Sequence, residues 1–350
     1  MKVFSSFVFL LGSLFGFSDS QTLYVPNSMG TTVSEVDLQT HMISGSITGF
    51  VRPIDVAFSP DGTKAYVITL TAGTFSEVDL ATKMITQTIS GLNRSARIAI
   101  SPDGTKAYVT NNNMGAGSSI SIIDLQTFTI SNLVSVNFDG PFPIVLSADG
   151  TKAYVGNGAM GSGTDISVVD LQTNTVTNIS GFAGPFGIAL SPDGAKAYVT
   201  NSMSGVGMTI SVVDFTSNSI TSTITSANFS GPVALAVSPD GTKAYVTNYA
   251  GGAGTTISVV DLGSMSVTNI SGFDAPVAIT LNAEGTKAYV ANQTPGTVFE
   301  VDLQTNMISQ MIMGFMAPSN VVLFKSPSPS PGSVCEQSLC QTQKEGCSEL

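Results

Sequence analysis

The chain is 350 residues long, 42% hydrophobic and only 11% charged, with 35 glycines and no tryptophan. Its formal net charge of −11 opposes phosphate backbones and anionic lipid, which attract basic surfaces, so nucleic acid is excluded as an expected partner. Sparse charge also leaves few groups for an ionic active site.

Residues 1–20 read as a signal peptide. Lys2 gives a positive n-region, and Val3 to Phe17 is an apolar run too short for a bilayer span. Ser18-Asp19-Ser20 places small residues at the cleavage positions before Gln21. No second apolar run follows, so the mature chain is expected to be secreted, extracellular or at the cell surface, with no stable membrane span.

Residues 21–325 repeat seven times. A Tyr-Val core recurs at Tyr24, Tyr66, Tyr108, Tyr154, Tyr198, Tyr245 and Tyr289, at intervals of 42, 42, 46, 44, 47 and 44 residues. That period belongs to four-stranded propeller blades. One copy shows the unit: Pro232 to Ser238 is run A, Asp240-Gly241 a turn, and Lys243 to Thr247 run B. Ile257 to Leu262 is run C and Val267 to Ile270 run D. Every run is strand-length, β-branched and bounded by turn residues, and none has a helical period. Asp-Gly is read as a two-residue hairpin turn, because it supplies positive φ cheaply. In run A a small residue sits between two large ones, as Ala99 does between Ile98 and Ile100, which suits crowded innermost strands. The fold class is all-β: a seven-bladed β-propeller of four-stranded antiparallel blades. The first repeat begins at run B, and Ser319 to Phe324 is an unaccompanied run A. The C-terminal strand is therefore expected to join the N-terminal blade and close the ring.

Tyr108-Val-Thr-Asn111, Tyr198-Val-Thr-Asn201 and Tyr245-Val-Thr-Asn248, with the preceding Ser-Pro-Asp-Gly, resemble the YVTN-type β-propeller repeat. Pro26, Ile68, Gly156 and Ala291 depart from it at the third position, and Thr69 at the fourth. The resemblance implies a secreted or surface-exposed propeller that acts as a non-catalytic binding or scaffold module. A distant likeness to lactonase-type propellers supplies the alternative, an enzyme with a polar site near the central channel. No catalytic motif of that group is matched.

The repeated charges suit turns better than a site. Asp61, Asp103, Asp149, Asp193, Asp240 and Glu284 fall at the A–B turn, and Asp37, Asp79, Asp124, Asp170, Asp214, Asp261 and Asp302 end run C, where Asx-type bonds to the backbone are expected. A metal is not expected, nor any cofactor. The lone His41 opens an outer run away from the axis, so the usual general base is missing.

Variation concentrates in the B–C and D–A loops. Four B–C loops, after Asn111, Asn157, Asn201 and Asn248, are long and rich in Gly, Asn, Ser and Met, a composition that suits either a binding surface or simple tolerance. Phe50, Phe138, Phe182, Phe229, Phe273 and Phe315, with Leu92 in the seventh place, precede run A. A ring of aromatics around the pore could cage a ligand, but packing between blades explains the same regularity and is the expectation. Asn320, Asp55 and Arg97 occupy one repeat position on three consecutive blades, and Arg52 and Arg94 lie in the same loops. These five are the candidate ligand-binding residues.

Residues 326–333 form a Ser/Pro linker, and 334–350 carry Cys335, Cys340 and Cys347. In an extracellular chain these thiols are expected to form disulfides, but three cannot all pair internally. Either the chain stops partway through a Cys-rich module or one Cys bonds another chain; zinc, the rival reading, lacks an accompanying His. Asn93, Asn178, Asn228, Asn269 and Asn292 head N-x-[ST] sequons, acceptors in a glycosylating host. The propeller is expected to be monomeric, with an extracellular protein or glycan as partner.

Overall fold

Alternation at period two extends the runs on either side of each A–B turn, and they pair antiparallel. In the repeat that follows the first, Pro53–Phe58, Lys64–Thr69, Thr74–Asp79 and Met84–Ser90 form one four-stranded meander. A computed structural model describes residues 21–158 and 161–325, in which seven such sheets form a ring. The leader, linker and cysteine tail expected from the sequence lie outside the described residues. Blades 2 to 7 span residues 53–90, 95–134, 141–180, 185–225, 232–271 and 276–313. Blade 1 takes 21–48 and, as its innermost strand, Val322–Lys325. No helix among the described residues is long and apolar enough to cross a membrane.

The A–B turn corrects the two-residue reading. Strands end at Phe58 and resume at Lys64, leaving a five-residue loop. The Gly62 amide donates to the Ser59 carbonyl at 2.9 Å, and the Ser59 amide to the Lys64 carbonyl at 3.0 Å. Proline presets the first central residue of such a turn, so only the glycine needs positive φ, 68° at Gly62. Asp61 instead accepts from the Ser59 hydroxyl (2.5 Å) and the Thr63 amide (3.0 Å), locking the loop.

The small residue of strand A has a local cause. Ala57, Ala99, Ala189 and Ala236 stand directly opposite Tyr66, Tyr108, Tyr198 and Tyr245 on strand B. A methyl leaves room for the ring, which is buried at every one of the seven tyrosines. The apolar side chains fall into seven clusters, each joining two neighbouring blades. Each cluster contains one member of the Phe50 series or Leu92, so this series is inter-blade packing and not a ligand cage. Each blade thus buries its faces against two others.

Closure is antiparallel, with Tyr24 opposite Val322 and Gln21 opposite Lys325. Beyond the strand, the Ser28 and Met29 amides donate to the Ala317 and Met316 carbonyls at 3.1 and 3.2 Å. The final strand is four residues long where other inner strands have six, because Ser319 to Val321 are drawn into this loop contact.

Candidate functional site

The B–C and D–A loops meet at one end of the ring, fastened by the last residue of the Tyr-Val-Thr-Asn motif. The Asn248 amide donates to Thr256 and Ser258 of strand C at 2.9 and 2.8 Å, while its oxygen accepts from the Ser230 amide at 3.2 Å. Asn27, Asn111 and Asn201 repeat the pattern. The motif threonine spans blades: the Thr200 hydroxyl donates to the Val233 carbonyl of the next blade at 2.9 Å and accepts from the Gly187 amide at 2.8 Å. The long loops are equally determined. A Cβ on Gly207 would lie 1.8 Å from the Asn201 carbonyl oxygen, and one on Gly231 2.3 Å from that of Gly205. Their glycines answer close backbone approach, not tolerance.

Just before each strand A the chain takes a left-handed residue. In five blades it is small: Gly140, Gly184, Gly231, Ala275 and Ala317, with φ between 49° and 65°. In blades 2 and 3 it is Arg52 (φ 55°) and Arg94 (φ 45°). A bulky residue held there costs on the order of 1–3 kcal/mol, a cost that concentrates at ligand sites.

These arginines project into a cavity of about 430 Å³ at the mouth of the central channel. Arg97 joins them, so all three arginines of the chain line one cavity, and among the described residues no carboxylate lines it. Arg52 Nε donates to the Ser28 carbonyl at 3.1 Å. Arg97 donates to the Ala96 carbonyl at 2.9 Å and lies over the Phe142 ring, 4.8 Å from its centroid. The lining also includes Phe142, Phe186, Tyr249 and Gln293, with Phe142 and Phe186 in ring contact at 4.3 Å and the Tyr249 hydroxyl bonded to Gln293 at 3.0 Å.

The five expected ligand residues therefore divide. Arg52, Arg94 and Arg97 line the mouth; Asp55 and Asn320 do not. Asp55 is 3% exposed and accepts from the Val56 amide (2.9 Å), the Ile98 amide (3.1 Å) and the Asn320 side-chain amide. Burial pushes its carboxyl above the usual range, opposed by the Arg97 charge and those three donors. This carboxylate ties blades 1, 2 and 3 together beneath the mouth, where Asp55, Arg97 and Asn320 line a separate space.

The mouth is built largely from two repeat positions that sequence reasoning passed over: the residue after the strand A proline and the residue after the motif asparagine. The first supplies Phe142 and Phe186, the second Tyr249 and Gln293. The sequence reading favoured the second residue after the proline, one step away, and one step along an extended strand turns a side chain to the other face. The signal was present: Ile54, Phe142, Phe186, Val233 and Val277 mark an apolar position where strand A would otherwise be reaching solvent.

Elsewhere, His41 sits on the outer rim, 3.1 Å from Glu300 of blade 7. The C-terminal aspartates of strand C form the expected Asx bonds; Asp124 accepts from the Gln126 and Thr127 amides at 3.0 and 2.7 Å. Asn93, Asn178, Asn228 and Asn269 are exposed. Asn292 is fully buried as a motif asparagine bonded to Thr297, which removes it from the sequons the folded protein presents. No group of three or more potential metal ligands exists among the described residues.

No family model matches the chain, and no curated protein does. Among solved structures it is similar to Kuenenia stuttgartiensis hydrazine synthase, at 18% identity and a TM-score of 0.70 over 78% of this chain and 95% of that one. It is also similar to a functionally unknown protein from Desulfotomaculum acetoxidans, at 16% identity and a TM-score of 0.73 over 87% and 99%. At such identities the likeness is one of fold.

Proposed function

We propose that this chain is a secreted, YVTN-type propeller acting as a non-catalytic binding module, with its ligand site at the loop-lined mouth of the channel. One observation carries the reading: the three arginines of a strongly acidic chain converge on one cavity that no carboxylate among the described residues lines. At Arg52 and Arg94 the fold does not ask for this, since five blades close the same loop with Gly or Ala. The motif resemblance and the leader-like residues 1–20 support the extracellular placement.

The lactonase-like alternative has less to work with. Its carboxylate would be Asp55, which is buried and already holds three donors. The test is a thermal-shift screen of extracellular metabolites and glycans against the wild type and an Arg52→Ala/Arg94→Ala/Arg97→Ala variant. A true ligand raises the wild-type Tm by mass action and leaves the variant unmoved. Ligands that shift both proteins equally place binding elsewhere and overturn the reading, while turnover of crude lactones by the wild type revives the enzyme.

A further inference from the structure

The mouth cavity continues into a second chamber of about 270 Å³, and the two share Phe142, Phe186 and Tyr249 as a common wall. The chambers differ in kind. The first carries the three guanidinium groups; the second has no charged lining residue and is walled largely by those rings and the bare backbone of Gly158, Gly161 and Gly205. The glycines of the long loops thus do more than permit close packing, because a wall without side chains leaves a flat slot beside the rings.

We propose that the site takes a small amphiphilic anion, an oxyanion head held by Arg52, Arg94 and Arg97 and an aromatic-sized apolar body in the second chamber. This rests on the mouth being the binding site and deepens that reading. A guanidinium presents a planar fork of donors that matches carboxylate, phosphate or sulfonate oxygens. Arg97 also faces the charge of the buried Asp55, which leaves Arg52 and Arg94 as the arginines without a neighbouring acid in the cavity lining. Among the described residues Arg94 makes no hydrogen bond that would occupy its fork, and Arg52 and Arg97 each spend one donor on a backbone carbonyl. Rings and apolar walls then offer burial to the body of the ligand, with its flat face against Phe186 and Tyr249. An inorganic anion would fill only the first chamber and a neutral hydrocarbon only the second.

The probe is 1-anilinonaphthalene-8-sulfonate, titrated by fluorescence and calorimetry, beside N-phenyl-1-naphthylamine, which has the same apolar body without the anion. The sulfonate is expected to bind one to one, at least tenfold tighter than the neutral compound. Arg52→Gly/Arg94→Gly should weaken it at least tenfold and leave the neutral compound unchanged; glycine suits the left-handed backbone, so this variant keeps the fold. Arg94→Lys, which keeps charge and loses the fork, should fall between. Phe186→Ala should weaken both probes. Phenyl phosphate and benzoate compete according to which head the arginines prefer, and inorganic phosphate should compete at least tenfold less well than either. Equal binding of both probes, or sulfonate affinity untouched by the arginine substitutions, overturns the anionic class; if Phe186→Ala still weakens them, the mouth survives as a binding site. Inorganic phosphate competing as well as phenyl phosphate removes the second chamber from the site. Failure of both probes to bind overturns the inference together with the reading beneath it.

Discussion

At the scale of single residues, two side chains carry opposite balances of stability and function. Arg94 holds a left-handed backbone that glycine adopts freely, so Arg94→Gly should leave stability unchanged or raise it, by up to about 1 kcal/mol after the gain in unfolded-chain entropy is counted against it. Thermal denaturation checks this; a fall in Tm of several degrees would show that the arginine serves the fold. Asp55 is the reverse. Asparagine has one acceptor oxygen where the carboxylate uses both, so Asp55→Asn leaves a donor facing a donor inside the channel wall. A buried unsatisfied group costs about 1–3 kcal/mol, and urea denaturation should show a loss of that order. Wild-type stability in this variant would remove Asp55 from the closure.

At the scale of elements, three blades carry a glutamate in strand C where the others carry Val or Ile. Glu77 and Glu300 are buried and each is paired with a lysine of its own strand B, Lys64 and Lys287, at 2.9 Å. Glu35 pairs across blades with Lys83 and stands opposite Tyr24, but its own strand has Thr22 where the other two blades supply a lysine. Thr22→Lys supplies that lysine and should raise stability by about 1 kcal/mol, read as a higher urea midpoint at unchanged m-value. No gain would mean that Lys83 and Tyr24 already satisfy Glu35. The same register logic explains why the motif asparagine was legible as a repeat but not as a device. Its identity recurs in the sequence, while its partners, in strand C and the preceding loop, become neighbours only when the blade forms.

For the whole molecule, acid and truncation test different bonds. Hydrogen bonds from the Ser101, Ser147 and Ser238 hydroxyls, with those from the following turn, hold Asp103, Asp149 and Asp240 down at about 2. Glu300 is also lowered: burial alone would raise it, and bonds from Lys287, Ser309 and His41 outweigh that. Carboxylates lowered in the folded state contribute stability that is complete above their unfolded values near 4 and lost as pH falls toward 2. Asp55, raised by burial, works the other way, its contribution fading as pH rises past 4, but it is outnumbered. Tm should therefore drop between pH 4 and 2, and a flat profile there would refute these turn bonds as native-state features. Closure makes the second prediction. Joining ends about 300 residues apart costs about 5 kcal/mol, while burying Val321, Val322, Leu323 and Phe324 returns about 1.5–3 kcal/mol each where burial is complete. Truncation after Met313 should give aggregating protein and truncation after Lys325 a soluble monomer, compared by light scattering and melting.

Seven blades, their strands, the inter-blade phenylalanines and the closing strand were all legible in the chain, because a repeat writes its periods and its turn chemistry into local order. The turn type was misread because Pro60 and the Ser59 hydroxyl, not Asp-Gly alone, set its geometry. The site was legible only in part. Of the five residues named from the sequence, Arg52, Arg94 and Arg97 line the mouth cavity that carries the proposal, and Asp55 and Asn320 do not. Which side chains face the mouth is decided by the bulge after each strand A proline, and which acid is already spent is decided by contacts across three blades. Local pattern determines what each blade is; only the closed ring, by bringing distant loops to one axis, decides what the blades do together.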